Sequence, residues 1–217
     1  MVAGRWVAVL LEDEHFARAF VASTIPEILD SERNLKMLGV DIPIGMPKGK
    51  QHRVCDVAAK KLIGPRSSSV FHTPPREILE APTYREANFL SRRRYNRGIS
   101  AQAYALGPKI LEIDPIAASD DRLIEAHPEV CFWAMKRGHL AHPKKSWNGQ
   151  MERRFLLTAQ GIELPDEIPA LANTPPDDLL DAAAAAWTAH RVAIGAAQRL
   201  PSLDDAADLK RRRVIWY

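Results

Sequence analysis

Cysteine is almost missing from this chain: Cys55 and Cys131 are the only two among 217 residues, and they follow no spaced pattern. A disulfide framework is therefore not expected. No apolar run reaches the roughly 18 residues that a membrane-spanning helix needs. The N-terminus shows no basic segment leading into an apolar one, so no secretory leader is expected. From these absences a soluble, cytoplasmic protein without a membrane partner is expected. A Gly-rich phosphate loop is absent too, which argues against ATP-using chemistry. Charge of one sign is also scarce, because 30 basic and 27 acidic residues leave a net charge of only +3. That balance permits a nucleic-acid partner without demanding one. Internal repeats are lacking.

What is present is enough apolar material, 46% of the residues, to build a full core as one domain over residues 1–217. "RWVAVLLEDEHFARAFVAS" (5–23) alternates, turns at "EDEH" and resumes, the pattern of a hairpin. In "TIPEILDSERN" (24–34) Thr24 and Glu27 form a capping box for a short helix. "MLGVDIPIGMP" (37–47) follows as a buried strand. The succession of hairpin, helix and strand predicts an α/β or α+β sheet core. Residues from about 48 to 119 read as a mostly helical, basic insertion, with "VCDVAAKKLIG" (54–64) closed by Gly64. The aromatic, β-branched run "EVCFWAM" (129–135) predicts another strand, and "NGQMERRFLLTAQG" (148–161) a helix closed by Gly161.

Asp41 stands alone inside the apolar strand expected at 37–47. A buried carboxylate there loses several kcal/mol of hydration unless a base, a turn amide or a metal answers it. The last helix, in "NTPPDDLLDAAAAAWTAHRVAIGAA" (173–197), has Thr174 as candidate cap and Pro175 as first helical residue. Asp177 is explained by the positive end of the helix dipole. Asp178 and Asp181 share a face that continues through Ala185, Thr188 and Val192, small enough to lie close on a sheet. A strand carboxylate facing two helix carboxylates repels itself, yet it suits a hard divalent cation such as Mg²⁺ or Mn²⁺. Such ions activate water and stabilise a leaving oxygen in phosphodiester hydrolysis. The other reading of these acids is capping or pairing with arginine.

The motifs "GVDIPIGMP", "RVCDVAAKKLIGPRSSSVF", "GISAQAYALGPKILEID", "EAHPEVCFW", "PKKSWNGQMERRFLL" and "DDLLDAAAAAWTAHR" occur in this order across nearly the whole chain. Together they resemble the family of RNase H-like nucleases catalogued as domain-of-unknown-function family 429. The resemblance implies a ribonuclease H-like fold: a mixed sheet flanked by helices, here with the helical insertion at about 48–119. It implies metal-binding, catalytic carboxylates at Asp41, Asp178 and Asp181, with Glu129 of the "HPE" motif beside them. Arg53, Arg66, Lys144 and Lys145 match family motifs and are expected to face phosphate. His127 is expected at the edge of the site as a proton shuttle or phosphate contact. The expected activity is metal-dependent hydrolysis of a nucleic acid or a phosphorylated small molecule.

One departure qualifies that expectation. Relatives begin with a strand "GVDGxxxGW" whose Asp is the central metal ligand. In "MVAGRWVAV" Trp6 aligns with that Trp and the acid is absent. Either the start lies upstream and supplies the acid, or this ligand is lost, and the alternative is then a non-catalytic nucleic-acid or nucleotide-binding protein. His127, Cys131, His139 and His142 fit no standard zinc spacing. Glu112 and Asp114 are candidates to join the acid cluster or to be answered by arginine. The basic runs "SRRRYNR" (91–97) and "KRRR" (210–213) read as solvated faces or as a backbone-tracking groove.

Overall fold

The computed structural model describes residues 4–202 and 213–217, so of the basic run at 210–213 only Arg213 lies within the described residues. Among them are nine α-helices, two 3-10 segments and six strands, a mixed α/β chain in which every sheet is two-stranded. None of these helices is long and apolar enough to cross a membrane. The chain divides into two compact units. One holds the residues up to Asp41 with Ala126–Ala197 and Tyr217; the other holds Ile42–Glu125 and the described part of Gln198–Trp216.

The first unit opens with the expected hairpin, β1 (Trp6–Glu12) against β2 (His15–Ala22), in antiparallel register from Trp6–Ala22 to Glu12–His15. Its two turn residues, Asp13 and Glu14, have φ of 47° and 74°. That left-handed pair gives the turn the twist that matches its strands. In α1 (Ile25–Ser31), Thr24 Oγ1 accepts from the Glu27 amide at 3.3 Å and the Glu27 carboxylate accepts from the Ser23 amide at 2.7 Å. The box thus closes one residue ahead of the cap.

β3 covers only Leu38–Val40, much less than the expected strand through 47. Pro43 and Pro47 have no N–H for a ladder, and Gly45 adopts φ 78°. Asp41 lies in a bend just past the strand and is exposed, so the desolvation cost of a buried strand acid does not arise.

Three helices complete the unit: α7 (Pro128–Lys136), α8 (Trp147–Thr158) and α9 (Pro176–Ala193). The run at 129–135, expected as a strand, is α7. Pro128 sits at the helix start with Glu129 in the first turn, where ring geometry and dipole both favour a helix. Val130, Cys131 and Phe132 are all fully buried, and burial on successive positions hides the helical period. Phe132, Leu157, Ile162, Leu180 and Trp187 share one core cluster. α9 begins one residue later than expected, with Pro175 as cap, Pro176 inside and no side-chain cap bond. Its alanine run explains Gly39: a Cβ there would lie 2.4 Å from the Ala185 carbonyl oxygen, so only glycine lets β3 approach α9.

The second unit contains α2 (Val54–Ile63), the 3-10 segment Gly64–Ser69, α3 (Arg76–Leu79), α4 (Tyr84–Tyr95), α5 (Ala101–Ala105) and α6 (Gly107–Ser119). The stretch expected to be helical is helical. β4 (Leu123–Glu125) and the antiparallel pair β5 (Arg199–Leu200) and β6 (Ile215–Trp216) belong to the same unit. At its centre Arg53 is enclosed. Its guanidinium bonds Glu125, donates to Thr73 Oγ1 at 3.0 Å and lies 3.6 Å from Asp56 Oδ1. The Ile44 amide donates to Glu125 at 2.7 Å and the Thr73 amide to Asp56 at 2.8 Å. One cation thus ties two carboxylates and four chain segments. Burial pushes the Glu125 carboxyl up to about 7 against the pull of Arg53, and Asp56 adds to the push.

Two outcomes follow from this cluster. Between pH 4.5 and about 7 the folded protein keeps a Glu125 proton that the unfolded chain releases. Stability from this group therefore falls as pH rises through that window. Urea unfolding at several pH values should show a flatter slope in Glu125→Gln than in wild type; identical slopes contradict the assignment. Arg53→Met should cost about 3–5 kcal/mol in the same measurement, because it leaves two buried carboxylates without their cation.

Candidate active site

Lys144 is held in place by α8. Ser146 caps that helix, its Oγ accepting from the Gly149 amide at 3.1 Å and donating to the Pro143 carbonyl at 2.7 Å. A Cβ on Gly149 would lie 1.9 Å from that same carbonyl oxygen, so the loop can press on the helix only at a glycine. Arg153, fully enclosed, donates to the carbonyls of Gly149 at 2.9 Å and His142 at 3.3 Å and bonds Glu129. Glu152 accepts from the amides of Ala141 and His142. The motif "PKKSWNGQMERRF" is thus a device that fixes one lysine loop against one helix.

The ammonium so placed meets α9. Lys144 Nζ is 2.6 Å from Asp181 Oδ2 and 3.8 Å from Asp177 Oδ2. Both acids are buried while Asp178 is half-buried, so the lysine binds the pair one turn apart rather than the expected pair three apart. Residues at i and i+4 diverge by only about 40° around a helix, less than the roughly 60° of i and i+3. That spacing was readable; the N-terminal position of Asp177 masked it, since the dipole already accounted for an acid there.

More negative charge surrounds Lys144 than it can neutralise. Burial raises the Asp181 carboxyl; Lys144 pulls it down, and Glu129 and Asp177 push it up again. Burial would lower the Lys144 ammonium, but Asp181 outweighs it, with Asp41 and Asp177 adding, and the net direction is up. Asp41, although exposed, therefore lies within electrostatic reach of the lysine. Two enclosed oxygens, Asp181 Oδ1 and Glu129 Oε2, have no hydrogen-bond partner among the described residues. The site is short of positive charge. Cys131 accepts from Thr188 Oγ1 at 3.1 Å, and burial pushes its thiol up to about 12, so it is no thiolate nucleophile.

The donor chemistry suits a hard divalent cation, because carboxylate oxygens are what Mg²⁺ and Mn²⁺ take. Among the described residues, however, no three His, Cys, Asp or Glu side chains are arranged to hold a metal ion. The cation against Asp181 is Lys144.

The remaining expected residues scatter. His127 is the cap residue of α7, and its carbonyl accepts from the amides of Val130 and Cys131. Lys145 is exposed, as are His139 and His142. Arg53, expected to face phosphate, is enclosed in the second unit and engaged by Glu125, Thr73 and Asp56. Arg66, half-buried, belongs to the 3-10 segment of that unit. Also there, Asp114 pairs with Arg76 at 2.7 Å and Glu112 with Lys109 at 3.4 Å, in place of the acid cluster. Arg153 and Glu152 escaped the sequence reading, because an enclosed arginine and a loop-binding glutamate look like ordinary helix-surface charges.

The acid excess has a measurable consequence. Asp181→Asn should stabilise the chelator-treated protein at neutral pH, since the charged form is disfavoured in the fold. Lys144→Met should destabilise it by on the order of 1 kcal/mol, the partly exposed ammonium being screened by solvent. A destabilised Asp181→Asn would instead mark Asp181 as an ordinary structural acid.

The family model described as "Protein of unknown function (DUF429)" matches residues 2–206. No curated protein and no solved structure matches the chain. A match over nearly the whole length is decisive for family membership: this chain belongs to the DUF429 family of proteins of unknown function.

Proposed function

We propose that the protein is a divalent-metal-dependent phosphodiesterase of the nuclease class, with a ribonuclease H-like arrangement around α9. The observation that carries this reading is the unneutralised acid cluster, in which Asp181 Oδ1 and Glu129 Oε2 are enclosed acceptors without donors. Among the described residues these carboxylates do not stand as a metal cluster, so Asp181, Asp177 and Asp41 would have to close on the cation to hold it, with Glu129 and Asp178 beside it. The metal would supply an activated water and a positive charge for the leaving oxygen. With a metal there, Lys144 would give up Asp181 and its ammonium would be available to a phosphate oxygen. Arg153 keeps Glu129 and the lysine loop oriented throughout.

A second reading, a binder of nucleic acid or nucleotides without catalysis, is favoured by one observation. Lys144 already sits on Asp181 at 2.6 Å and gives the cluster a cation of its own.

Incubation with single-stranded and duplex oligonucleotides, and with a chromogenic phosphodiester, separates the two. The first reading expects hydrolysis with Mn²⁺ or Mg²⁺, none with chelator, and a loss of about 100-fold or more in Asp177→Asn and Asp181→Asn. The second expects oligonucleotide binding without turnover, weakening steeply between about 50 and 200 mM salt. Replacing the exposed Arg92, Arg93 and Arg94 of α4 by Ala should flatten that slope. Neither turnover nor salt-sensitive binding would contradict both.

A further inference from the structure

The second unit also holds a cluster of cationic and imidazole side chains. The rings of His52 and His72 stack with centroids 3.7 Å apart and planes inclined by 29°. Arg97 Nη1 lies 3.0 Å from each ring nitrogen of His52. Each residue arrives from a different segment. His52 stands two residues ahead of α2. His72 follows the 3-10 segment, and the Lys60 ammonium grips the Ser67 carbonyl within that segment and the Val70 carbonyl just past it. Arg97 is delivered by the end of α4: Asn96 takes the left-handed conformation, φ 56° and ψ 33°, and turns the chain back. The Arg97 guanidinium is also 5.9 Å from the Tyr95 ring centroid, a cation–π contact that steadies it.

Two imidazoles and a guanidinium at such distances repel one another whenever a histidine takes a proton. Asp56 is the carboxylate that pulls the other way, but it is committed, accepting from the Thr73 amide at 2.8 Å and facing Arg53 at 3.6 Å. Lys60 adds positive charge near His72. Burial, the neighbouring His72 and Arg97 hold the His52 imidazole below its ordinary value of 6.5. Burial does the same for His72, with Lys60 and Arg97 lowering it further and Asp56 opposing. His72 Nδ1 is enclosed and has no hydrogen-bond partner among the described residues. All three side chains are half-buried, so a small ion can still reach them. What the cluster lacks is an acceptor carrying negative charge.

We propose that His52, His72 and Arg97 form a binding site for a tetrahedral phosphoryl oxyanion, as carried by inorganic phosphate or by the phosphate group of a nucleotide. Arg97 supplies the permanent charge and the forked donors that fit two oxygens of one phosphate. The imidazoles supply further N–H donors and become better ones on protonation, which the arriving anion favours. The site is built wholly from residues of the second unit and stands apart from the metal reading of the acid cluster.

Imidazole NMR of the full chain tests it, with inorganic phosphate titrated at constant ionic strength against a chloride control. The His52 and His72 resonances should move saturably toward the imidazolium position with phosphate and stay still with chloride. Arg97→Gln should weaken that saturation by about tenfold, the worth of one charge-assisted hydrogen bond. Adenosine monophosphate compared with adenosine identifies the source. Tighter saturation by the monophosphate than by phosphate supports a nucleotide phosphate, and equal saturation supports free phosphate. If neither phosphate nor the monophosphate moves these resonances, the two rings are simply a stacked neutral pair and the proposal fails. It fails equally if Arg97→Gln saturates as the wild type does.

Discussion

Lys144 meets Asp181 at 2.6 Å and Asp177 at 3.8 Å, a single ammonium against two enclosed carboxylates. In the second unit Arg53 stands in the same relation to Glu125 and Asp56. Each unit thus contains one cation that answers two acids. Ion pairs of this kind recover their desolvation cost only with good geometry and further hydrogen bonds. The amides of Ile44 and Thr73 supply those bonds to the Arg53 cluster. The Lys144 cluster is less complete, because enclosed oxygens of Asp181 and Glu129 receive no donor. That difference separates a structural cluster from a candidate working site. A folding cluster gains by satisfying every acceptor, whereas a binding site keeps some of them open for what it binds.

Local rules were legible wherever the chain obeys them locally. The β1–β2 hairpin, the Thr24–Glu27 box, the Gly64 stop after α2 and the α9 helix with its small-residue face all follow from spacing and turn chemistry. The failures have physical causes. The aromatic and β-branched run of α7 reads as a strand, and because Val130, Cys131 and Phe132 are buried in succession no 3.6-residue period corrects that reading. The Asp41 stretch was read as one long strand although Pro43 and Pro47 forbid a continuous ladder. Of the site, Asp181 and Lys144 were legible as chemistry, but their mutual contact was not. It depends on Gly149, Ser146 and Arg153 pressing a loop onto a helix, and no local spacing carries that information. The role of Arg53 was invisible for the same reason, since its partner Glu125 lies 72 residues away.

Membership of the DUF429 family gives the motifs a common origin without giving them an activity. The physical content of those motifs is nevertheless specific. "PKKSWNG" presents an ammonium, "HPE" presents a carboxylate locked by Arg153, and the α9 acids face that ammonium from a helix that Gly39 lets close upon β3. Function, on this view, turns on whether the ammonium is the resident cation of the site or the placeholder for one.

Manganese titration of the metal-free protein, followed by the loss of the free Mn²⁺ paramagnetic resonance signal, decides between these roles in wild type and Lys144→Met. If Lys144 is a placeholder, removing it deletes a competing cation and leaves the carboxylates to the metal. The variant should then bind Mn²⁺ about tenfold or more tightly than wild type. Equal or weaker binding by the variant, or no binding by either protein, would contradict a metal site at Asp181.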